Sequence, residues 1–315
     1  SDLLIPYLTA QENIELPMTM AWNNSYTNKR AWSNELLNAV GLYERRHHRQ
    51  IDVTSLQAAL NAKLGSAGLR NLILNGCCRV SHRSPKSLST SWQYAEVDLI
   101  AVKAEGTVSA GTIRQVSGVS SLGTSGYACQ VQGATLGSGG AIGWRHRIEA
   151  HDAVKLANGA AVISARVYHD VGAAISYSVT LNRANVADDF SAVTQIASGA
   201  SSIANDSNAD LGLAVANLGD CSTGLELLIK ASCGAVSGRN FYLGDLQLEA
   251  GSVRTPFERR PLAAEVALVG RFLRPCVIAG AKANSGSNLQ AALAHPEMRV
   301  TPAYEVTAAL SFTGP

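Results

Sequence analysis

From residue 71 onward, apolar and polar residues alternate with a period of two in several separate runs. The clearest runs are Tyr127–Gln132, Ile163–Tyr168 and Ile175–Leu181. Because successive side chains of a β-strand point to opposite faces, this alternation predicts strands that are buried on one face and exposed on the other. Three further strands are predicted at Val97–Ala104, Leu225–Ala231 and Phe241–Glu249.

Clusters of Gly, Ser, Asn and Asp separate these runs, for example at Leu136–Gly140 and Ser198–Asp210, and such clusters form turns and loops. Many short strands joined by polar loops are typical of a mainly β fold. We therefore predict an antiparallel β-sandwich of the jelly-roll type over residues 71–275. Residues 276–315 are predicted to form a C-terminal β extension, with a last strand pair around Leu289–Leu293 and Tyr304–Phe312.

The first 70 residues follow a different pattern and predict a small helical and extended region ahead of the sandwich. Between residues 28 and 49 the spacing of the apolar residues is helical, at Trp32, Leu36, Val40 and Tyr43. We predict one amphipathic helix there.

A second, shorter helix is predicted from Thr54, which forms a capping box with Gln57, to a stop at Gly65. Its apolar stripe is narrow and consists of Leu56, Leu60 and Leu64. Because a helix of about ten residues is marginal alone, we predict that this stripe packs against a copy of itself or against another subunit. Packing within the same chain is the alternative.

The composition excludes several classes of protein. Apolar residues make up 46% of the chain and charged residues 16%, which is typical of a globular protein. A formal net charge of +2 argues against a broad basic face for nucleic acid. The chain has neither an apolar run of about 18 residues nor a basic start followed by an apolar run, so neither a membrane span nor a signal peptide is expected.

The six cysteines include no Cys-x-x-Cys pair. We predict that they are buried free thiols, which fits assembly in a reducing cytoplasm.

Several segments resemble, in order and spacing, the jelly-roll domain of phage tail-fibre and receptor-binding proteins. That domain is in turn similar to carbohydrate-binding modules. The most specific part is the Gln-Leu-Glu-x-Gly-x-x-x-Thr-Pro-Phe-Glu signature, which begins at Gln247. The segments that carry this resemblance are Asn71–Gly76, Arg147–Glu149, Leu246–Arg260, Arg271–Leu273 and Met298–Pro302. Upstream of them, Asp52–Lys63 is similar to the short linker helices that precede fibre tips.

This chain departs from the family pattern at two places. It has Asp98-Leu99-Ile100 where the family often has Asp-Arg-Trp, and Arg271-Phe272-Leu273 where the family commonly has Arg-Tyr-Tyr. Within the signature we interpret Glu249 and Glu258 as structural anchors, with Arg259 or Arg260 as partners. Leu246 and Leu248 are predicted to face the core while Gln247 and Glu249 face away.

The resemblance implies a subunit of a phage or phage-like particle, located on the virion after assembly in the host bacterial cytoplasm. Residues 1–70 would attach to other tail or baseplate proteins, and the sandwich would meet a host cell-surface polysaccharide or protein. Fibres of this kind are usually homotrimers.

No cofactor is expected. Some similar sandwiches hold a structural calcium ion between the first and last strands. Here Cys77 and Cys78 stand where an acidic ligand would be needed.

Sugar recognition uses aromatic faces aided by a few polar side chains. Trp144, with Arg145 and His146, is the first candidate for a glycan contact because it follows the glycine-rich segment Gly137–Gly143. The other candidates are Trp92, Tyr94 and Tyr127. The alternative for each of these aromatic residues is a place in the core or at a subunit interface.

Catalysis is not expected. Glycoside cleavage needs two carboxyl groups about 5–10 Å apart, and nothing in the sequence pairs the acidic candidates, which are Asp98, Glu149, Asp152, Asp188 and Asp189. Motifs of hydrolases, P-loop proteins and dinucleotide-binding proteins are absent. Two alternatives remain, a purely structural baseplate, collar or head-decoration protein and, less favoured, a capsule depolymerase.

Overall fold

The computed structural model of the chain describes residues 8–21, 26–41, 43–47, 70–119, 122, 124–273, 282–285 and 288–290. Two compact units are present, residues 1–65 and residues 66–315. The predicted helix with Leu56, Leu60 and Leu64 lies outside the described residues, as does the predicted strand Tyr304–Phe312. The domain boundaries predicted after residues 70 and 275 stay predictions.

The first unit contains two helices, α1 (Ala10–Ala21) and α2 (Tyr26–Ala39), followed by a 3₁₀ turn at Tyr43–Arg45. The helices meet through polar groups, since Gln11 Nε2 donates a hydrogen bond to Ser33 Oγ at 3.1 Å. The helix predicted over residues 28–49 corresponds to α2, which ends earlier, at Ala39. Helix α1 was not predicted.

The second unit is built mainly from β-strands. Two short helices, α3 (Ala150–Ala153) and α4 (Leu262–Val269), interrupt or follow them. The strands are β1 (Lys86–Ser87), β2 (Gln93–Tyr94), β3 (Ala101–Glu105), β4 (Val108–Ser117), β5 (Tyr127–Leu136), β6 (Ala141–Ile148), β7 (Ala161–His169), β8 (Ile175–Val186), β9 (Asp189–Ile203), β10 (Ala209–Val215), β11 (Leu225–Ser232), β12 (Val236–Ala250), β13 (Lys282–Ser285) and β14 (Asn288–Gln290).

Twelve of these strands form two six-stranded antiparallel sheets that pack as a sandwich. The first sheet has the order β1-β4-β5-β12-β7-β10 and the second has the order β2-β3-β6-β11-β8-β9. Strands β13 and β14 pair separately as a small hairpin. The predicted antiparallel β-sandwich is confirmed.

The core lies between the two sheets and is filled by side chains that alternate along each strand. In β6 the inward residues are Ile142, Trp144 and Ile148, whereas Arg145 and Arg147 between them are partly exposed. Because burial of one large apolar side chain contributes about 1.5–3 kcal/mol, this shared interior is the main stabilising feature of the fold.

The strands predicted from alternation are present, as β3, β5, β7, β8, β11 and β12. The loop predicted at Ser198–Asp210 is wrong in its first part, because β9 continues through Ile203. Pairing with β8 holds this Ser- and Gly-containing segment extended, with Ser198 opposite Thr180. The low strand propensity of Ser and Gly is therefore overridden here by backbone hydrogen bonds to the neighbouring strand.

The family-like signature forms a structure that we call the clasp, made of residues 70–76, residues 246–260 and Glu265. Asn71 Nδ2 donates to Leu246 O at 3.0 Å, and Leu248 N donates to Asn71 Oδ1 at 3.0 Å. Gly76 is required in this place because a Cβ atom there would overlap Leu246 O. The segment before the first strand is therefore joined to the end of β12 by side-chain and backbone hydrogen bonds, the latter including Leu72 N to Leu248 O at 2.9 Å.

Acidic side chains anchor the clasp, as predicted, but through different partners. Glu249 accepts hydrogen bonds from Thr255 N at 2.7 Å and Thr255 Oγ1 at 2.5 Å. Glu258 accepts a hydrogen bond from Asn71 N at 2.5 Å. Arg260, expected as a partner of these acids, instead lies 3.1 Å from Glu265.

Gln247 and Glu249 do face away from the sandwich interior, yet both are fully buried, at 0% exposure. The segment after β12 folds back over them, since Gln247 Oε1 accepts a hydrogen bond from Glu258 N at 2.7 Å. Buried polar groups of this kind need such partners to offset their loss of water.

The five cysteines within the described residues are free thiols, and Cys77, Cys78, Cys129 and Cys221 are buried. The prediction of buried free thiols is confirmed for those four, whereas Cys233 is free but only partly buried. None of the helices in the described part of the chain has the length and apolar character needed to cross a membrane.

Candidate functional site

A cavity of about 410 Å³ opens on the second sheet of the sandwich. This volume falls within the range of roughly 300–1,000 Å³ that is usual for ligand sites. Its lining consists of Leu74, Tyr94, Leu99, His146, Arg147, Glu149, Asp188, Asp189, Phe190, Ser191 and Phe272. We refer to this cavity as the sheet pocket.

Several separate stretches of chain build the sheet pocket. Strand β6 supplies His146 and Arg147, the β8–β9 turn supplies Asp188, and the start of β9 supplies Phe190. The turn is tight, because Val186 and Asp189 are already paired and Asp188 takes a φ of 59°. Asp tolerates this left-handed conformation better than most residues, which explains its place at the tip of the turn.

Aromatic rings and one guanidinium group form part of the wall. The Arg147 guanidinium lies 4.8 Å from the centre of the Phe190 ring, and Arg147 Nε donates to Glu226 Oε2 at 2.8 Å. Tyr94 and Phe272 add two more rings to the lining. This combination of apolar ring faces and fixed polar groups is the chemistry by which proteins hold sugar rings.

The three carboxylates of the sheet pocket are held by hydrogen bonds or ion pairs. Asp188 Oδ1 accepts a hydrogen bond from Ala150 N at 2.8 Å, and Glu149 Oε2 lies 3.2 Å from Arg271 Nη2. Asp189 Oδ1 accepts a hydrogen bond from Ser191 N at 2.9 Å. Hydrogen bonds from the Ser191 backbone and side chain lower the pKa of Asp189, whereas a general acid needs a raised pKa.

His146 contributes a neutral polar group to the wall. The side chain is 3% exposed, and its Nδ1 has no hydrogen-bond partner among the described residues. Burial lowers the pKa of His146 to about 4, and a hydrogen bond with the Leu99 backbone offsets only part of that effect. The imidazole is therefore uncharged at neutral pH, and its Nδ1 atom is shielded from solvent.

Leu99 lines the sheet pocket in a left-handed backbone conformation with a φ of 67°. A non-glycine residue pays on the order of 1 kcal/mol for this conformation. Leu99 stands where the resembling family has Arg, and the next residue, Ile100, is buried in the core where the family has Trp. Leu99, one of the residues at which the sequence departs from the family pattern, therefore forms part of the wall of this pocket.

The predicted glycan residues divide into two groups. Tyr94 and His146 line the sheet pocket, and Arg145 and Trp92 lie beside it on the outer surface of the same sheet. The Arg145 guanidinium is 4.5 Å from the centre of the Trp92 ring. The structure thus brings together four of the six predicted residues.

Trp144 and Tyr127 do not belong to this group. Trp144 is 1% exposed and packs in the core, because its position in β6 points inward while Gly143 and Arg145 point outward. The first-choice glycan contact is therefore corrected to a core residue, which was the alternative considered for it. Tyr127 lies on β5 of the other sheet and packs partly buried against the core.

Sequence reasoning missed Arg147, Phe190 and Phe272 as site residues. Phe190 follows the acidic pair Asp188-Asp189, which is the signal of a tight turn that presents the next side chain. Phe272 lies in a segment that was noted only for its family resemblance.

The two cysteines that stand in place of a possible calcium ligand are poor ligands for that ion. Cys77 and Cys78 are buried thiols, and burial raises the pKa of both, whereas calcium selects oxygen ligands. Within the described residues, no three His, Cys, Asp or Glu side chains are grouped as a metal site.

Comparison with known proteins gives fold likeness only. No protein-family model and no curated protein matches the chain. Among solved structures, it is similar to a protein from a study of carbohydrate-binding modules of the β-sandwich superfamily, with 10% identity and a TM-score of 0.37 over 48% of this chain and 56% of that chain.

A carbohydrate-binding module solved with β-1,4-galactotriose shows 12% identity and a TM-score of 0.35 over 58% of this chain and 100% of that chain. The enzymatically active domain of tailspike protein 4 of bacteriophage CBA120 shows 8% identity and a TM-score of 0.39 over 57% of this chain and 21% of that chain. The chain therefore spans about half of the first of these proteins and about a fifth of the tailspike. Likenesses of this size carry no functional argument.

Proposed function

We propose that this protein is a non-enzymatic fibre or spike subunit of a phage or phage-like particle, which binds a host surface glycan in the sheet pocket. The observation that supports glycan binding is the pocket itself. It combines the Tyr94, Phe190 and Phe272 rings with the Arg147 guanidinium in a cavity of about 410 Å³. Rings offer apolar faces to sugar C–H groups, and the polar groups fix the hydroxyls.

A binding role is favoured over hydrolysis by the state of the carboxylates. Glu149 is paired with Arg271, and Asp188 is bound to a backbone amide. The lowered pKa of Asp189 keeps it ionised. Two fixed acceptors and an ionised acid suit the holding of sugar hydroxyls, whereas a glycosidase needs one carboxyl group that is protonated at working pH.

The location on a particle is supported by the family resemblance of the sequence. In this proposal residues 1–70 attach to tail or baseplate proteins and the sandwich faces outward. Three copies of the chain form a closed homotrimer, which multiplies weak glycan contacts through avidity. A purely structural baseplate, collar or head-decoration role is the competing proposal, and it requires another subunit to cover the sheet pocket.

Binding is tested with a bacterial glycan array and the purified protein. Phe190→Ala and Arg147→Gln should each reduce binding by about tenfold or more, because truncation of a central aromatic or Arg contact is costly. Tyr168→Ala is the matched control, since Tyr168 is a partly exposed aromatic residue on the other sheet. Equal losses for all three variants would contradict the pocket assignment.

Hydrolysis and assembly are tested separately. Incubation with each bound polysaccharide should release no reducing ends, and release above background would support the depolymerase alternative. Mass measurement in solution at micromolar concentration should give three chains per particle, and a monomer would contradict the homotrimer. Density for residues 1–70 in the assembled particle would identify the attachment partner.

A further inference from the structure

A row of charged side chains runs along the outer face of the second sheet, next to the sheet pocket. Lys103 and Lys230 are both register partners of Gly143, so all three positions share one face. Arg145 and Arg147 follow Gly143 at two-residue intervals and lie on that face too. The cationic strip is defined as Lys103, Arg145, Arg147 and Lys230 together with Trp92, Glu105 and Glu226.

Each carboxylate of the cationic strip serves two cations. Glu105 lies 3.3 Å from Lys103 Nζ and 3.5 Å from Lys230 Nζ. Glu226 lies 2.8 Å from Arg147 Nε and 3.8 Å from Arg145 Nε. Four cations facing two anions leave an excess of two positive charges in the strip.

These two positive charges, which the carboxylates of the strip do not balance, create a local attraction for anions on this face.

Of the four cations, the Arg145 guanidinium lies farthest from a carboxylate, although Tyr94 is also a hydrogen-bond partner. Its Nε is buried and makes no hydrogen bond with the described residues, and the 3.8 Å to Glu226 is too long for one. Burial and the neighbouring Arg147 charge lower the pKa of Arg145. An anion placed beside Arg145 would relieve both effects.

Trp92 gives the cationic strip an aromatic surface. The ring lies over Gly143, where a Cβ atom would come within 3.2 Å of Trp92 Cη2. Lys103 Nζ is 5.1 Å and Arg145 Cζ is 4.5 Å from the ring centre. A half-buried indole flanked by two cations offers a stacking face for a sugar and counter-charges for its anionic substituent.

The strip and the sheet pocket are continuous but have opposite charge character. Arg147 belongs to both, since it contacts Glu226 in the strip and Phe190 in the pocket. The pocket holds the carboxylates of Glu149, Asp188 and Asp189, which repel an anion and accept hydrogen bonds from hydroxyls. A single extended ligand that satisfies both surfaces carries neutral sugar at one end and negative charge at the other.

We infer that the glycan is an acidic polysaccharide, with a neutral sugar residue in the sheet pocket and a carboxylate-bearing residue on the cationic strip beside Trp92. This inference rests on the proposed glycan-binding function and specifies its ligand class. Duplex nucleic acid is a poorer match, because its phosphates are spaced about 1.7 Å apart along the axis and the strip has only two charges in excess.

The experiment uses the full chain and purified bacterial capsular polysaccharides that contain uronic acids. Each polysaccharide is paired with its carbodiimide-reduced form, in which the carboxyl group is a hydroxymethyl group and the sugar backbone is unchanged. Binding is measured by biolayer interferometry at low and high salt. At least one uronate polymer should bind, with an affinity that falls about tenfold after reduction and also falls with added salt.

The double variant Lys103→Gln/Lys230→Gln should bind the uronate polymer about tenfold more weakly and lose clearly less affinity for the reduced polymer. Lys155→Gln is the matched control, because its side chain is 47% exposed compared with 44% for Lys230 and it lies outside the strip. Thermal unfolding of the double variant should match that of the control variant.

The outcomes separate the two proposals. Equal binding of the acidic and reduced polymers, or binding of neutral polymers alone, would overturn this inference and leave the proposed function standing. Competition by duplex DNA as strong as that by the uronate polymer would also overturn it. If no polysaccharide in any form binds, the proposed function and this inference both fail.

Discussion

At the residue scale, one strand decides which predicted site residues reach the surface. In β6, Trp144 and His146 point between the sheets while Arg145 and Arg147 point outward. The sequence did not predict β6, because the glycine-rich stretch before Trp144 resembles a loop. Without a predicted strand, no residue of this segment could be assigned to one face of the sheet. Residue types at the site were therefore predictable, whereas their orientation depended on a register that only the neighbouring strands fix.

His146 should make the protein less stable in mild acid. Its folded-state pKa of about 4 lies below the ordinary value of 6.5, so the unfolded chain binds the proton first. Stability from this residue is complete above about pH 6.5 and falls as pH drops towards 4, by on the order of 3 kcal/mol.

Chemical denaturation at a series of pH values between 7 and 4.5 measures this loss. The His146→Gln variant lacks the titrating group, so its free energy of unfolding should change less over the same interval. Parallel pH profiles for the two proteins would show that another group is responsible.

Gly143 should matter for binding more than for stability. In Gly143→Ala the new Cβ atom would sit 3.2 Å from Trp92 Cη2 and shift the indole. We expect a several-fold loss of glycan affinity, with a free-energy change of about 1 kcal/mol or less. Titration calorimetry and denaturation measure the two effects.

Gly212→Ala is the control for that substitution. Gly212 also lies in a strand, and a Cβ atom there would meet its nearest neighbour at an ordinary 3.4 Å. If Gly212→Ala lost as much affinity as Gly143→Ala, the loss could not be attributed to Trp92, and Trp92 would not be part of the binding site.

At the scale of elements, the signature that begins at Gln247 has a structural role, because it forms part of the clasp. Asn71 and Leu246 are far apart in the sequence but hydrogen-bonded in the clasp. The resemblance identified these segments separately, and the strands between them followed from alternation. Strand β9 was missed because its Ser, Gly and Ala residues resemble a loop when the pairing with β8 is unknown.

Removal of the Glu249 carboxylate should destabilise the sandwich severely. Glu249 is fully buried and holds Thr255 and Arg70, the latter at 3.3 Å. Glu249→Ala removes the acceptor of Thr255 N and the counter-charge of Arg70, and we expect a loss of about 3–5 kcal/mol in the free energy of unfolding. Urea denaturation provides the measurement.

A surface ion pair serves as the comparison. Arg254 and Asp210 are 3.0 Å apart, with side chains 40% and 48% exposed. Arg254→Ala should cost about 1 kcal/mol or less, because water already solvates both groups. Similar losses in the two variants would mean that the clasp does not hold the sandwich.

At the scale of the whole molecule, the order of the strands sets how the domain can be divided. Strands β11 and β12 each occupy an interior position in their sheets, with β11 between β6 and β8 and β12 between β5 and β7. Without this consecutive pair, each sheet is left as two unconnected parts. The fold class was predictable from the alternation, but this arrangement was not, because antiparallel patterns do not specify which strands are neighbours.

Two truncated chains test this dependence. A chain that ends after residue 273 keeps both sheets and should unfold cooperatively. A chain that ends after residue 224 lacks β11 and β12, and we expect it to bind a hydrophobic dye and to show no cooperative transition. A well-dispersed amide spectrum from the shorter chain would contradict this expectation.

The order of the strands also has a consequence for synthesis. Strands β11 and β12 are the last strands of the sandwich to leave the ribosome. Until they emerge, neither sheet can be completed, and the ten earlier strands keep apolar faces and strand edges exposed. Such nascent chains are prone to aggregate. Slower translation therefore lengthens the vulnerable period, and a chaperone that shields the emerging strands should raise the soluble yield.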